Sequence, residues 1–528
     1  PLAAGDLDGD GYDEVLVGAS ESSGGVTSRV YVVRGGPDAH RRDVMDLSST
    51  SADQVVSAAQ VDDNLGSSIT TGDVNGDSID DLLICASTAD YGGRTDAGIA
   101  YLMYGGESFF ASPTRDLGNT TDWDVRFAGP VAYGDMGASL SLGGGDSHAA
   151  AIGKLNNDGY GDIVLGVHLA DAAATQAGRV YVVFGEEFAS GTTLDLASGT
   201  SYDVVIYGAG TYDETGDFVL TADITGDGLD ELIIPNRYFS QYLFDSEGAV
   251  HIFRGRETWA GVFNLSAVPA DITLLGHRKY DNLGESAAVG DFNNDLIADL
   301  AAAAPGADVG PHTDQQGDGF VYGLLGSGAY QTGTHTVDYA TATPDFLIVG
   351  EFQEGLGAET AAGDFDGDGY DDIAAAERFG GPQINGIVDV LYGRDFAGNP
   401  IYTAAVSTDL RIVGEPDDRI GFSLSTSDVN GDGVDEVFFG TPFNSSPPST
   451  GTGTAYVFAL VAGDVDGDGD VDLGDYTLFA DCIAGPGVDV APIGCAQEQF
   501  RLTDFDRDTD VDVADFATFQ EAFTGPLP

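Results

Sequence analysis

The chain has 528 residues, with 87 acidic and 20 basic side chains and a formal charge of −67. A surface this acidic repels phosphate and excludes nucleic acid as a partner, while 42% hydrophobic content excludes an acidic disordered tail. No apolar run is long enough for a membrane span, three cysteines are too few for a disulfide scaffold, and so long a chain exceeds one ordinary core unless it is a repeat architecture.

The chain opens on P-L-A-A-G-D with no signal peptide at Pro1, and reads as a mature or trimmed form. At Asp6 begins a nonapeptide of the type D-x-D-x-D-G-x-x-D, which returns at Asp73, Lys154, Asp223, Asp291, Asp364 and Asp428. Such internal repeats decide the fold before any local reading. Each copy follows a small-residue segment, such as S-S-I-T-T-G (67–72) or A-E-T-A-A-G (358–363), and precedes an apolar run such as V-L-V (15–17) or V-F-F (437–439). A Gly/Ser/Asp-rich loop then leads to a second run, R-V-Y-V-V (29–33) in the first unit, and a last run such as F-L-I-V-G (346–350) closes the unit. Helical periodicity is absent, β-branched and aromatic residues dominate, and turn signals separate the runs. Four strands in roughly 70 residues, seven times over, predict a mainly β fold, a seven-bladed β-propeller over residues 1–460.

Four residues past each nonapeptide stand Gly18, Cys85, Gly166, Pro235, Ala303, Ala376 and Gly440, all compact, as close packing between sheets requires. Cys85 is therefore expected to be a buried small residue and not a nucleophile.

Oxygen-bearing side chains at positions 1, 3, 5 and 9, a glycine at position 6 and the carbonyl of position 7 can fold around one hard cation that takes six to eight oxygens, calcium in preference to magnesium. The expected ligands are Asp6, Asp8, Asp10, Tyr12 and Glu14 in the first loop, and Asp73, Asn75, Asp77, Ile79 and Asp81 in the second. In the fourth they are Asp223, Thr225, Asp227, Leu229 and Glu231, with Thr225 a weaker neutral ligand, and in the fifth Asp291, Asn293, Asp295, Ile297 and Asp299. The sixth offers Asp364, Asp366, Asp368, Tyr370 and Asp372, and the seventh Asp428, Asn430, Asp432, Val434 and Glu436. The third reads K-L-N-N-D-G-Y-G-D; an ammonium cannot ligate a cation, so Lys154 is expected to pair with Asp158 and Asp162 and leave that loop empty.

The last residues, 461–528, differ. G-D-V-D-G-D-G-D-V-D-L-G-D-Y (463–476) and T-D-F-D-R-D-T-D-V-D-V-A-D-F (503–516) are copies of each other in the longer EF-hand register. Asp464, Asp466, Asp468, Asp470 and Asp475 fill positions 1, 3, 5, 7 and 12 of one loop, and Asp504, Asp506, Asp508, Asp510 and Asp515 those of the other, where Thr509 replaces the glycine. Tyr476, Phe479 and Ile483, then Phe516, Phe519 and Phe523, follow at helical spacing, predicting a small α-helical module of paired EF-hand-type loops. About eight calcium ions are expected, one for each loop except the third.

The nonapeptides with their following strands resemble the FG-GAP repeats of integrin α-chain propellers and their bacterial relatives, over about residues 1–460. Residues 461–528 resemble a type I dockerin, whose family docks onto cohesin domains; here Gly474 and Ala514 precede the last loop aspartates, where that family carries a Ser/Thr pair. Cys482 and Cys495 fall between the two loops, and a disulfide is expected, with a free pair as the alternative.

Seven scattered histidines and the lack of G-x-S-x-G or H-E-x-x-H point away from an enzyme. Many calcium loops favour an extracellular or cell-surface protein, secreted, structural or adhesive. Since the unit at Asp428 offers only three strands before Asp464, and P-L-A-A-G-D is already an inner strand, an open edge is expected on the last blade. A neighbouring copy or another extracellular protein could cover it and build a filament or surface layer. The alternative is a secreted glycan-active or glycan-binding propeller, lyase or lectin-like, carried by its dockerin-like tail.

Overall fold

The computed structural model describes residues 1–19, 27–37, 47, 52–138, 148–171, 174–240, 246–308, 317–351, 354–381, 384–398, 400–404, 406–414, 418–441, 453–459, 473–485, 488, 492, 495, 503 and 511. The chain divides into two units, one of Pro1–Ala39 with Val44–Val457 and one of His40–Asp43 with Phe458–Pro528.

The first unit is a seven-bladed β-propeller. Each blade opens on a short inner strand, Leu2–Gly5 in blade one, then Leu65–Gly72, Ala150–Gly153, Leu220–Ala222, Ala287–Gly290, Thr360–Gly363 and Leu424–Ser427. Small residues dominate there because inner strands crowd the axis. The nonapeptide turns the chain into an antiparallel second strand, such as Asp162–Val167 or Asp372–Glu377, buried along its whole length. Continuous burial explains why these runs are apolar without alternation: both faces pack against neighbouring sheets. The strand Leu2–Gly5 packs against the inner strands of both blade two and blade seven, which closes the ring.

The structure corrects the strand count. Five sheets have five strands, and the fifth always comes from the next blade. Thr114–Asp116, which leads from the third to the fourth strand of blade two, pairs in parallel with Gln54–Ser57 of blade one. Thr192–Asp195, Val262–Asn264, His335–Asp338 and Ile401–Thr403 repeat the arrangement on blades two to five. Among the described residues blade six has four strands and blade seven three, ending at Thr454–Phe458.

The compact column packs closely between sheets at Cys85 and Gly166, though not at Gly440, where a Cβ would meet nothing nearer than 3.5 Å. Cys85 is fully buried, and a Cβ built on Gly137 would lie 2.4 Å from its Cβ. Gly137 and Gly216 have φ of 78° and 94°, a region that side chains avoid, and Gly216 lies so close to Gly166 that neither tolerates a Cβ. Burial pushes the Cys85 thiol up to about 12, so it is inert.

In the second unit the helix Leu473–Cys482 is described. Phe479, Cys482 and Val511 form a small core, but Tyr476 and Ile483, expected on the same apolar face, are 40% and 45% exposed. Cys482 and Cys495 are joined by a disulfide with Cα atoms 5.0 Å apart. The segment of Phe516, Phe519 and Phe523 lies outside the described residues. No helix among the described residues is long and apolar enough to cross a membrane.

Candidate metal centres

All seven nonapeptides connect an inner to a second strand, so all lie at one end of the propeller. Position 2 is an apolar anchor: Leu7, Val74, Leu155, Ile224, Phe292, Phe365 and Val429 are at most 1% exposed. With the chain pinned there, position 1 begins the loop. Asp364 Oδ1 accepts the backbone N–H groups of Gly367 and Asp368 at 2.7 and 3.1 Å, and Oδ2 that of Gly369 at 2.9 Å. Asp6, Asp73 and Asp428 each accept the same three, and Asp223 and Asp291 accept those of positions 5 and 6. Position 5 in turn accepts the N–H of position 7, from Tyr12, Ile79, Leu229, Ile297, Tyr370 and Val434.

Position 9 closes the loop. Glu14, Asp81, Glu231, Asp299, Asp372 and Glu436 are at most 1% exposed, and each accepts a backbone N–H from the start of its own loop, as Asp372 does from Phe365 at 2.9 Å. Positions 3 and 9 converge: Asn75 Nδ2 donates to Asp81 at 3.4 Å, Thr225 Oγ1 to Glu231 at 3.4 Å, and Asn430 Nδ2 to Glu436. Burial, reinforced by neighbouring carboxylates, raises Asp81, Asp299 and Glu436 to about 7, Glu14 and Glu231 to about 8 and Asp372 to about 9. Crowded buried carboxylates of this kind are what a divalent cation relieves.

Ligand atoms of Asp6, Asp8 and Asp10 lie within 4.8 Å of one another, as do those of Asp364, Asp366 and Asp372. Asp8 Oδ1, Glu14 Oε1 and Asn293 Oδ1 are buried without a hydrogen-bond partner, oxygens that a cation would take up. The residues present therefore fit calcium. A third acidic group, Glu351, Glu354 and Glu377, is different, because Arg411 already reaches Glu351 at 2.9 Å and Glu377 at 2.8 Å.

The third loop corrects an expectation. No ion pair joins Lys154 to Asp158 or Asp162; its side chain is exposed and its charge acts on Asp230 of the next blade. The loop closes regardless, because Leu155 N–H donates to the buried Asp162 at 2.9 Å and Asn156 Nδ2 to the same carboxyl at 3.4 Å. The tail loops holding Asp464, Asp466, Asp468, Asp470, Asp504, Asp506, Asp508, Asp510 and Asp515 lie outside the described residues, as does the side chain of Asp475. Two roles escaped the sequence reading: the position-2 anchors, whose burial could have been inferred from their apolar column, and an ion pair of Arg34 with Asp8 at 3.2 Å, for which the sequence held no signal.

Fold and loops together define a class, a seven-bladed β-propeller carrying FG-GAP repeats. The FG-GAP repeat pattern matches residues 2–33, 65–103, 283–324, 356–391 and 420–458. The blades left unmatched are three and four, those of Lys154 and Thr225. Among known proteins the chain is similar to the phosphatidylinositol-glycan-specific phospholipase D of Bos taurus, 28% identical over 242 residues, which are 46% of this chain and 26% of that protein. It is also similar to integrin alpha pat-2 of Caenorhabditis elegans, 30% identical over 197 residues, 35% of this chain and 14% of the integrin. The human phosphatidylinositol-glycan-specific phospholipase D is 23% identical over 417 residues, 75% of this chain and 45% of that protein. The chain thus spans less than half the length of each of these relatives.

Proposed function

We propose that the chain is an extracellular, non-enzymatic calcium-binding protein with a structural or adhesive role, its propeller loops held closed by ions. The observation that carries this is the geometry of the loops: buried position-9 carboxylates and amide-capped position-1 aspartates repeated in six blades, with the position-3 side chain meeting position 9 in four of them. Likeness to integrin alpha chains supports the surface and adhesive reading. For residues 461–528 we propose a paired calcium-loop module, supported by the copied stretches 463–476 and 503–516. Partners would be other copies of the chain or another extracellular protein; the exposed Val413 and Val457 on the outermost described strands of blades six and seven support such contacts.

The test is a melting curve of the full chain with calcium and with excess chelator. Removing the ions leaves clustered carboxylates with no counterion, so the melting temperature falls steeply. An unchanged curve contradicts the proposal.

One observation favours a second reading, a glycan-binding or glycan-active propeller. A cavity of about 380 Å³ at blade five is lined by His277, Arg278, Asp281, Phe320, Leu347 and Ile401, joining charged and aromatic groups. Retention of the chain on a glycan array, abolished by Arg278→Ala, would establish it.

A further inference from the structure

Position 8 of the nonapeptide is not among the ligand positions of such loops, yet it is aspartate in five of the seven copies, Asp13, Asp80, Asp230, Asp371 and Asp435. These carboxylates face the preceding blade. Asp230 Oδ2 accepts the backbone N–H of Lys154 at 2.7 Å, Asp371 Oδ2 that of Asp291 at 2.7 Å, and Asp435 Oδ2 that of Asp364 at 3.0 Å. The N–H of each position-8 residue returns the contact to the carbonyl of the same position-1 residue, Asp230 to Lys154 at 2.9 Å, Asp371 to Asp291 at 3.0 Å and Asp435 to Asp364 at 2.8 Å. The first residue of each of these loops is thus clamped from both sides by the next blade.

The residue before position 1 matches this clamp. Gly153, Gly290 and Gly363 stand there, and a Cβ on them would come within 2.8, 2.8 and 2.4 Å of the Asp230, Asp371 and Asp435 carboxylates. Gly5 faces Asp80 in the same way, at 2.6 Å, and Asp80 N–H reaches Asp6 O at 3.1 Å. At the joint of blades seven and one the residue is Ser427, whose hydroxyl donates to Asp13. Where the carboxylate is missing, the partner changes. Ala298 meets Asp223 O through its N–H at 3.1 Å, and the residue before Asp223 is Ala222. Gly161 meets Asp73 O at 2.8 Å, and the space over Gly72 is taken by Ile152.

We propose that the position-8 aspartates that clamp an aspartate at position 1, Asp371 and Asp435, are positioning residues for the ion in the preceding blade, so that calcium affinity in one loop depends on a side chain supplied by the next. The inference rests on the calcium reading. Position 1 supplies the first ligand carboxylate and caps the loop amides, and holding its N–H and carbonyl fixes where that carboxylate points. Loops five and six are keyed by Asp371 and Asp435, and loop one is approached in the same way by Asp80; loops two and four, facing Gly161 and Ala298, are not keyed and bind more weakly.

The experiment is amide hydrogen exchange of the full chain during a calcium titration, read on peptides covering 223–231, 291–299 and 364–372. In Asp371→Ala the calcium needed to protect 291–299 rises roughly tenfold or more, as removal of an outer-shell partner does, while 364–372 is unmoved although it contains the substitution. The paired change Ala222→Gly with Ala298→Asp supplies the missing key and shifts protection of 223–231 to lower calcium, which a merely destabilised chain would not show. An equal shift of both loops in Asp371→Ala, or no shift in 291–299, overturns the proposal while leaving the calcium reading intact. No calcium-induced protection of any loop in the unaltered chain overturns both.

Discussion

The third and sixth loops have nearly the same skeleton and opposite first residues. In both, an apolar anchor at position 2 is buried, its N–H donates to the position-9 carboxylate at 2.9 Å, and the position-7 N–H donates to the position-5 aspartate. They part at position 1, where Asp364 caps three backbone amides and Lys154 caps none. The loop is therefore shaped by anchor and buried carboxylate, and the ion is an addition set by position 1.

The largest effects should fall on what the two loops share. Leu155→Ala costs about 2–5 kcal/mol and Phe365→Ala about 3–5 kcal/mol, the range for buried large-to-small changes. Both losses should persist in excess chelator, measured by denaturant unfolding. A loss at Phe365 that vanishes without calcium would break the comparison.

Exchanging the first residues comes next. Asp364→Lys should remove one bound ion, and loss of hydrogen bonds to a charged acceptor costs about 1.5–3 kcal/mol even without calcium. Lys154→Asp should add an ion, counted by isothermal titration of the full chain. An unchanged count in either variant contradicts the assignment of position 1.

Acidity then separates the loops. Burial raises Asp162 to about 7 and Asp372 to about 9, each far above its unfolded value. A carboxyl raised in the folded state binds protons more readily there, so its contribution is full below the unfolded value and is lost as pH rises through the folded one. In chelator, melting temperature should therefore fall between pH 5 and about 9. With calcium, the part due to Asp372 should vanish, because the ion takes the proton's place, and the part due to Asp162 should stay. A melting temperature that rises with pH in chelator would contradict this.

The smallest effect lies at position 6. Gly159 and Gly369 turn with φ of 92° and 85°, but in the fifth loop Leu296 adopts φ 68° and the residue is 89% exposed. Leu296→Gly should stabilise by about 1 kcal/mol, since a side chain in the left-handed region is strained and nothing packs against this one. Destabilisation on thermal melting would show that Leu296 has a contact in solution.

Much of this was legible beforehand. The nonapeptides mark the turn from inner to second strand, and runs such as D-I-V-L-G-V declare buried strands by composition. The fifth strands were not legible: T-R-D at Thr114–Asp116 and V-F-N at Val262–Asn264 are too short for periodicity, and their partners lie in the preceding blade. Nor was the function of position 8, since by residue type an aspartate beside ligands looks like one more ligand. Lys154 misled for the converse reason: its charge suggested pairing within its own loop, whereas its side chain is exposed and it is its backbone N–H that meets Asp230 across the joint.

The most direct measurement is an anomalous difference map from crystals of the full chain grown with calcium. Within the propeller an ion is expected in the loops beginning at Asp6, Asp73, Asp223, Asp291, Asp364 and Asp428, with ligand oxygens at about 2.3–2.6 Å. The loop beginning at Lys154 should hold none. Loops without ions, or an ion seated between Asp158 and Asp162, would contradict it.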